Sequence, residues 1–155
     1  MNATSNWMSA EDASKWIPVA NDIEQKYGIP ENLLARLLYQ ESHYRADIIS
    51  GVTKSSAGAV GIAQLLPRFF PGAGADPAQD IDTAGNYLSH LFNRFHDWQI
   101  ALAAYNWGPG NVMKALVANP PTMLIAALPQ ETRNYVTQIC SDVPESGSII
   151  PGAYA

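Results

Sequence analysis

The chain has 155 residues, 47% of them hydrophobic and 15% charged, with a formal net charge of -5. Those values suit one compact domain with a core of useful size and exclude wholesale disorder. The nine Lys and Arg residues are scattered and outnumbered, so no basic surface is available to neutralise phosphates and no nucleic-acid partner is expected.

Cys140 is the one cysteine and cannot close an internal disulfide, so the fold must stand on packing. Met1 to Trp16 contains no basic start followed by an apolar stretch, and no secretory signal is expected. No apolar run approaches membrane-spanning length either, so membrane insertion is not expected.

Residues 1–8 read as a loose leader. Ser9 followed by Asp12 resembles a capping box, after which Trp16, Ala20, Ile23 and Tyr27 recur at helical spacing. Pro18 lies inside that pattern, where it would kink the helix or delay its start. Gly28 ends this helix, and Pro30 suits the first turn of the next, expected to run to about Tyr44. From Ala46 to Ala59 the chain has no apolar period and reads as a loop with room for a small hairpin.

A short helix is expected over Val60–Leu66, stopped by Pro67. Asp80 or Asp82 can cap a further helix with a buried stripe of Ile81, Ala84, Leu88, Leu91 and Phe95. "WQIALAAYNW" predicts an almost wholly apolar helix, closed by Gly108-Pro109-Gly110. Asn111–Ala118 and Glu131–Cys140 predict two more, and "NPPTMLIAALP" between them has room for a short turn of helix. Residues 141–155 lack any period. The fold class expected is mainly α, in a single domain over 9–140.

The chemistry concentrates at Glu41. Leu34, Leu37 and Leu38 set an apolar stripe, and its next place is this carboxylate. Burying an ionised carboxylate is far costlier than burying a leucine unless it is paired or protonated. A glutamate at the edge of the stripe, paired with Arg36 or Arg45, satisfies the pattern. So does a carboxyl in a partly apolar cleft, its pKa raised so that it serves as a general acid toward a leaving oxygen. His43, His90 and His96 have no metal-ligand spacing, and neither a GxSxG elbow nor a phosphate loop is present, so no metal or cofactor is expected. Tyr105 and Trp107, beside a glycine turn, are equally suited to the core or to stacking on sugar rings.

Four segments in order resemble the soluble lytic transglycosylases, relatives of goose-type lysozyme. They are "ESHY" at 41–44, "GAVGIAQLLP" at 58–67, "ALAAYNWGPGNV" at 101–112 and "ETRNYV" at 131–136. "DPAQDIDTAGNYL" also resembles the family's connecting helix. Together these cover roughly residues 30–140. The resemblance implies a lysozyme-like helical fold and peptidoglycan glycan strands as substrate. It implies cleavage of the β-1,4 bond between N-acetylmuramic acid and N-acetylglucosamine, with the muramyl C6 hydroxyl attacking to leave a 1,6-anhydro end. One carboxyl then acts as acid toward the leaving oxygen and as base toward that hydroxyl.

Residue by residue, Glu41 matches the catalytic acid/base. Ser50 matches a serine that contacts the substrate acetamido group, and Gln64 a cleft glutamine. Tyr105 and Asn106 match a cleft pair. Glu131 matches a second acid of the pattern, as a substrate contact or helix cap, and Ser42 reads as structural. Trp107 stands where a small residue is common and would narrow the cleft or add a stacking surface. The family's members are usually exported. A phage lysin released through a holin, or a virion-borne wall-piercing enzyme, reconciles the resemblance with the absent signal, as does a secretion-system component. A monomer is expected. The alternatives are a hydrolytic muramidase, which needs a positioned water and a second carboxylate drawn from Asp76, Asp80, Asp82 or Asp97, and a non-catalytic glycan-binding protein.

Overall fold

The structure, a computed structural model, describes residues 6–144. Its packing divides into two compact units between Tyr87 and Leu88. The described residues are mainly α-helical, and their one isolated β-bridge pairs Val60 with Leu65.

The first unit opens with a 3-10 turn at Trp7–Ser9, followed by α1 (Ala13–Tyr27), α2 (Leu33–Ser42), α3 (Ala46–Ile49) and the start of α4 (Pro77–Phe95). Trp7 is buried, 6.5 Å from the Tyr39 ring, so the expected loose leader is corrected there: an indole on an apolar helix face outweighs the polar residues around it. The Ser9–Asp12 capping box does not form. Ser9 Oγ donates to Asn6 Oδ1 instead, and α1 starts at Ala13 with no side-chain cap. Pro18 sits inside α1 without delaying its start. Gly28 closes α1 in the left-handed region (φ 70°), its N–H donating to Glu24 O.

The second helix begins at Leu33 rather than at Pro30, because Asn32 adopts φ 69° and forces a turn ahead of it. It ends at Ser42, two residues short of expectation, where His43 and Tyr44 both take φ 53°. Ala46–Ile49 is helical where a loop or hairpin was expected. The helix expected over Val60–Leu66 is absent. Val60 and Leu65 exchange backbone hydrogen bonds of 3.0 and 3.1 Å around a turn in which Gly61 (φ 78°) and Gln64 (φ 50°) are left-handed. A Cβ on Gly61 would lie 2.6 Å from Asp80 Oδ2, so the glycine serves close packing there.

The cap of α4 is Asp76, whose Oδ1 accepts from Ala78 N at 3.0 Å. Neither expected residue takes that role: Asp80 accepts from Gly74 N, and Asp82 accepts from Lys26 Nζ and Tyr27 O–H. Gly85 lets α4 lie against α1 and α2, since a Cβ there would meet Ile23 Cγ2 at 2.4 Å and Leu34 Cδ2 at 3.2 Å.

The second unit is built on α5 (Trp98–Trp107), which coincides with the "WQIALAAYNW" expectation and is buried from Trp98 to Ala104. Asp97 caps it, accepting from Ile100 N at 3.0 Å, and Phe92 stacks on Trp98 at 4.0 Å. The α5 helix packs on α8 (Gln130–Asp142) and on α6 (Pro109–Ala118). Gly108 separates α5 from α6, but Pro109 opens α6 rather than closing the preceding turn, its missing N–H being harmless at a first helical position. A 3-10 turn at Pro121–Met123 and α7 (Leu124–Ala127) fill the Pro-rich connection. The last helix reaches Asp142 and Val143 is buried, so ordered structure passes the expected boundary at 140; the rest of the tail from residue 145 lies outside the described residues.

Candidate active site

Leu34, Leu37 and Leu38 are fully buried, and Glu41, next on that stripe and in the last turn of α2, is half-buried. The helix ends abruptly just beyond it. Ser42 is buried; its Oγ donates to Leu38 O at 3.0 Å and accepts from Tyr44 N at 3.3 Å, tying down a turn of two consecutive left-handed residues. Tyr44 is wholly buried, and its hydroxyl donates to Ala35 O at 2.6 Å. Burial, with Glu24 adding in the same direction and Arg36 opposing, pushes the Tyr44 phenol far above its ordinary range. Two members of "ESHY" therefore hold the turn that follows Glu41.

The other end of α2 is held by Glu24, a residue without an expected role. Its carboxylate accepts from Asn32 N at 2.9 Å, Ala35 N at 3.0 Å and Asn21 Nδ2 at 2.8 Å. It thus caps α2 from a neighbouring helix, with its charge at the positive end of the helix dipole. Burial raises its pKa above the ordinary 4.5, against those hydrogen bonds. Its place one residue past Ile23, off the centre of the α1 stripe, was the available signal.

Ser50 is exposed at the end of α3, its hydroxyl donating to Asp47 O at 3.2 Å. Asp47 organises this loop, taking hydrogen bonds from Thr53 Oγ1 at 2.6 Å and from Arg45 Nη2 at 2.9 Å. Gln64 is half-buried, with Nε2 donating to Gly61 O at 2.9 Å. Ser50 and Gln64 thus direct these hydrogen bonds to their own loops.

Tyr105, Asn106 and Trp107 form the half-buried last turn of α5. Asn111 Nδ2 donates to Trp107 O at 2.7 Å across the Gly108 turn. Glu131 is exposed in the first turn of α8. Glu41, Ser50 and Gln64 accordingly belong to the first unit, and Tyr105, Asn106, Trp107 and Glu131 to the second.

The four aspartates that a water-activating mechanism could draw on have structural roles. Asp76 and Asp97 cap helices, Asp80 accepts from Gly74 N with both oxygens, and Asp82 meets Lys26 Nζ at 2.6 Å. Among the described residues no group of three His, Cys, Asp or Glu side chains could hold a metal ion. No helix among them is long and apolar enough to cross a membrane.

Residues 18–122 match the Transglycosylase SLT domain. The chain belongs to this family. The match runs through both packing units. Membrane-bound lytic murein transglycosylase C of Haemophilus influenzae is 29% identical over 125 residues, covering 66% of this chain and 34% of that protein. Membrane-bound lytic murein transglycosylase D of Escherichia coli is 33% identical over 101 residues, covering 55% of this chain and 22% of that one. The SLT chain thus spans about a third or less of the length of these relatives.

Among solved structures, an inactive mutant of the lytic transglycosylase Slt from Pseudomonas aeruginosa superimposes with a TM-score of 0.68 at 23% identity, over 87% of this chain and 24% of that one. The 70 kDa soluble lytic transglycosylase of Escherichia coli does so with a TM-score of 0.65 at 26% identity, over 83% and 26%. The mainly α, lysozyme-like fold class expected from the sequence is the one this SLT domain adopts.

Proposed function

We propose that the protein is a peptidoglycan lytic transglycosylase that cleaves the MurNAc-β-1,4-GlcNAc bond and leaves 1,6-anhydro muramyl ends. The observation that carries this reading is the match of residues 18–122 to the Transglycosylase SLT domain, with Glu41 half-buried at the end of an apolar stripe inside it. Asp76, Asp80, Asp82 and Asp97 are taken up by structural hydrogen bonds or an ion pair. A single carboxyl suffices when the nucleophile is the substrate's own hydroxyl. Hydrolysis by inversion would instead require a second carboxylate about 6.5–9.5 Å from the first, with room for a water.

In the proposed reaction Glu41 donates its proton to the glycosidic oxygen as the C1–O4 bond breaks. The carboxylate so formed takes the proton from the muramyl C6 hydroxyl as O6 bonds to C1, which restores the acid. No water is consumed. Ser50, Gln64, Tyr105, Asn106, Trp107 and Glu131 are the proposed substrate contacts. The protein acts as a monomer on periplasmic or cell-wall glycan, without a cofactor. A narrower proposal is that it serves a phage as a lysin or virion-borne enzyme; its recovery from uninfected periplasm would count against that.

Mass spectrometry of sacculi digested with the purified protein tests the reaction. Products one water lighter than reducing muramic ends are expected. Reducing ends would replace the transglycosylase with a hydrolase, and no release from a folded sample would leave a glycan-binding protein. Glu41→Gln is expected to lower turnover by at least about 100-fold while keeping the fold, since general acid–base groups contribute roughly 10²–10⁴-fold; a normal rate in that variant overturns the role of Glu41.

A further inference from the structure

The loop after the Val60–Leu65 bridge leaves a cavity of about 280 Å³ against the start of α4, wholly within the first unit. Its walls include Leu65, Phe69, Phe70, Gln79, Asp80 and Thr83. None of these is among the residues assigned above to the cleavage site. Drug-sized ligands occupy pockets of about 300–1,000 Å³, so this one suits a single ring with its substituents.

Its chemistry is specific in three respects. Phe69 is 64% exposed, unusual for a phenyl ring, yet it is held in place: the Arg68 guanidinium lies over it at 4.6 Å. Phe70 is fixed from behind by Tyr87, edge to face at 5.1 Å. Two anchored rings and Leu65 therefore give an apolar wall that needs no rearrangement to receive a flat apolar face. Gln79 and Thr83, one helical turn apart on α4, contribute neutral donors and acceptors. The formal charge on the wall is that of Asp80. Both its oxygens accept from Gly74 N, and burial raises its pKa and so favours the neutral form. A cation would find the Asp80 oxygens already engaged by Gly74 N. The occupant that fits is neutral and ring-shaped, with one C–H face and a hydroxyl or amide edge.

We propose that this cavity is a subsite for an uncharged N-acetylhexosamine ring of a glycan strand, stacked on Phe69 and hydrogen-bonded by Gln79 and Thr83. The choice of ligand rests on the reading of the protein as a glycan-cleaving enzyme; the site itself rests on the cavity and its walls. It would hold the strand at a point separate from the bond whose oxygen Glu41 protonates.

An NMR titration of the full chain with tetra-N-acetylchitotetraose tests it, because its N-acetylhexosamine rings are neutral and carry neither the lactyl ether nor the stem peptide of muramic acid. Saturable shifts are expected at the amides of Gly72, Ala73 and Thr83. Phe69→Ala, at an exposed side chain, is expected to weaken that set of shifts by about five- to ten-fold in Kd, the loss of one aromatic stacking face. Thr83→Ala should weaken it less. Unmoved amides at saturating tetraose overturn the subsite, as does an unchanged Kd in Phe69→Ala. Shifts that appear only with a peptide-bearing muropeptide overturn the sugar and assign the cavity to the stem peptide. Sacculus digestion by the same wild-type sample reads the catalytic proposal independently, so either can fail without the other.

Discussion

At Glu24 one carboxylate satisfies two backbone amides at the start of α2, the helix whose far end carries Glu41. Glu24→Gln would turn an amide N–H toward one of those donors, so at least one buried N–H loses its acceptor. A destabilisation of about 1–3 kcal/mol is expected, read by denaturant titration. Burial raises the pKa of Asp80 and Asp97 above the ordinary 3.8, as it raises that of Glu24 above 4.5, with backbone hydrogen bonds opposing in each case. The folded state therefore holds these protons more tightly than the unfolded chain. Their contribution to stability is complete below the ordinary values and is lost as the pH rises through the raised folded-state values. Asp97→Asn keeps a good capping oxygen for Ile100 N but removes one titrating group. Melting temperatures from about pH 4 to about pH 7 should therefore fall less steeply in that variant than in the wild type; an identical slope would refute the linkage.

Helices in the first unit meet where one side chain is missing. An alanine in place of a glycine within a helix ordinarily gains about 1 kcal/mol. At Gly85 the added Cβ would stand 2.4 Å from Ile23 Cγ2, a contact that real structures do not tolerate. Overpacking of this kind costs about 1–3 kcal/mol and outweighs the propensity gain. Gly85→Ala is thus expected to lower the melting temperature by several degrees, whereas an increase would mean that α1 and α4 separate freely. The same reasoning explains the turn at 60–65: Gly61 faces Asp80 too closely for any Cβ, and the local pattern that suggested a helix yields to that contact.

Over the whole molecule the net charge of -5 matters for the proposed substrate, a peptidoglycan that is itself anionic. Association gains no electrostatic steering, and long-range repulsion is screened once the Debye length falls to about 8 Å near 0.15 M salt. Cleavage of sacculi should therefore quicken modestly between low and physiological ionic strength. A steep fall with salt would instead reveal a local basic contact dominating the encounter.

The helical class, the course of α5 and the end of α1 were legible in the sequence, because apolar period and a left-handed glycine act within a few residues of chain. The sequence also marked Glu41, whose interruption of a leucine stripe is local, and ordered motifs of which three lie within the residues that match the SLT family. What Glu24, Asp80 and Ser42 hold emerges in the folded chain alone. A side chain eight residues before the amide it accepts from, or six after it, leaves no periodic trace. Nor could the helix ends at Leu33 and Ser42 be read from propensity. They depend on left-handed residues at Asn32, His43 and Tyr44, whose strain is held by a buried carboxylate at one end and by a buried hydroxyl and phenol at the other.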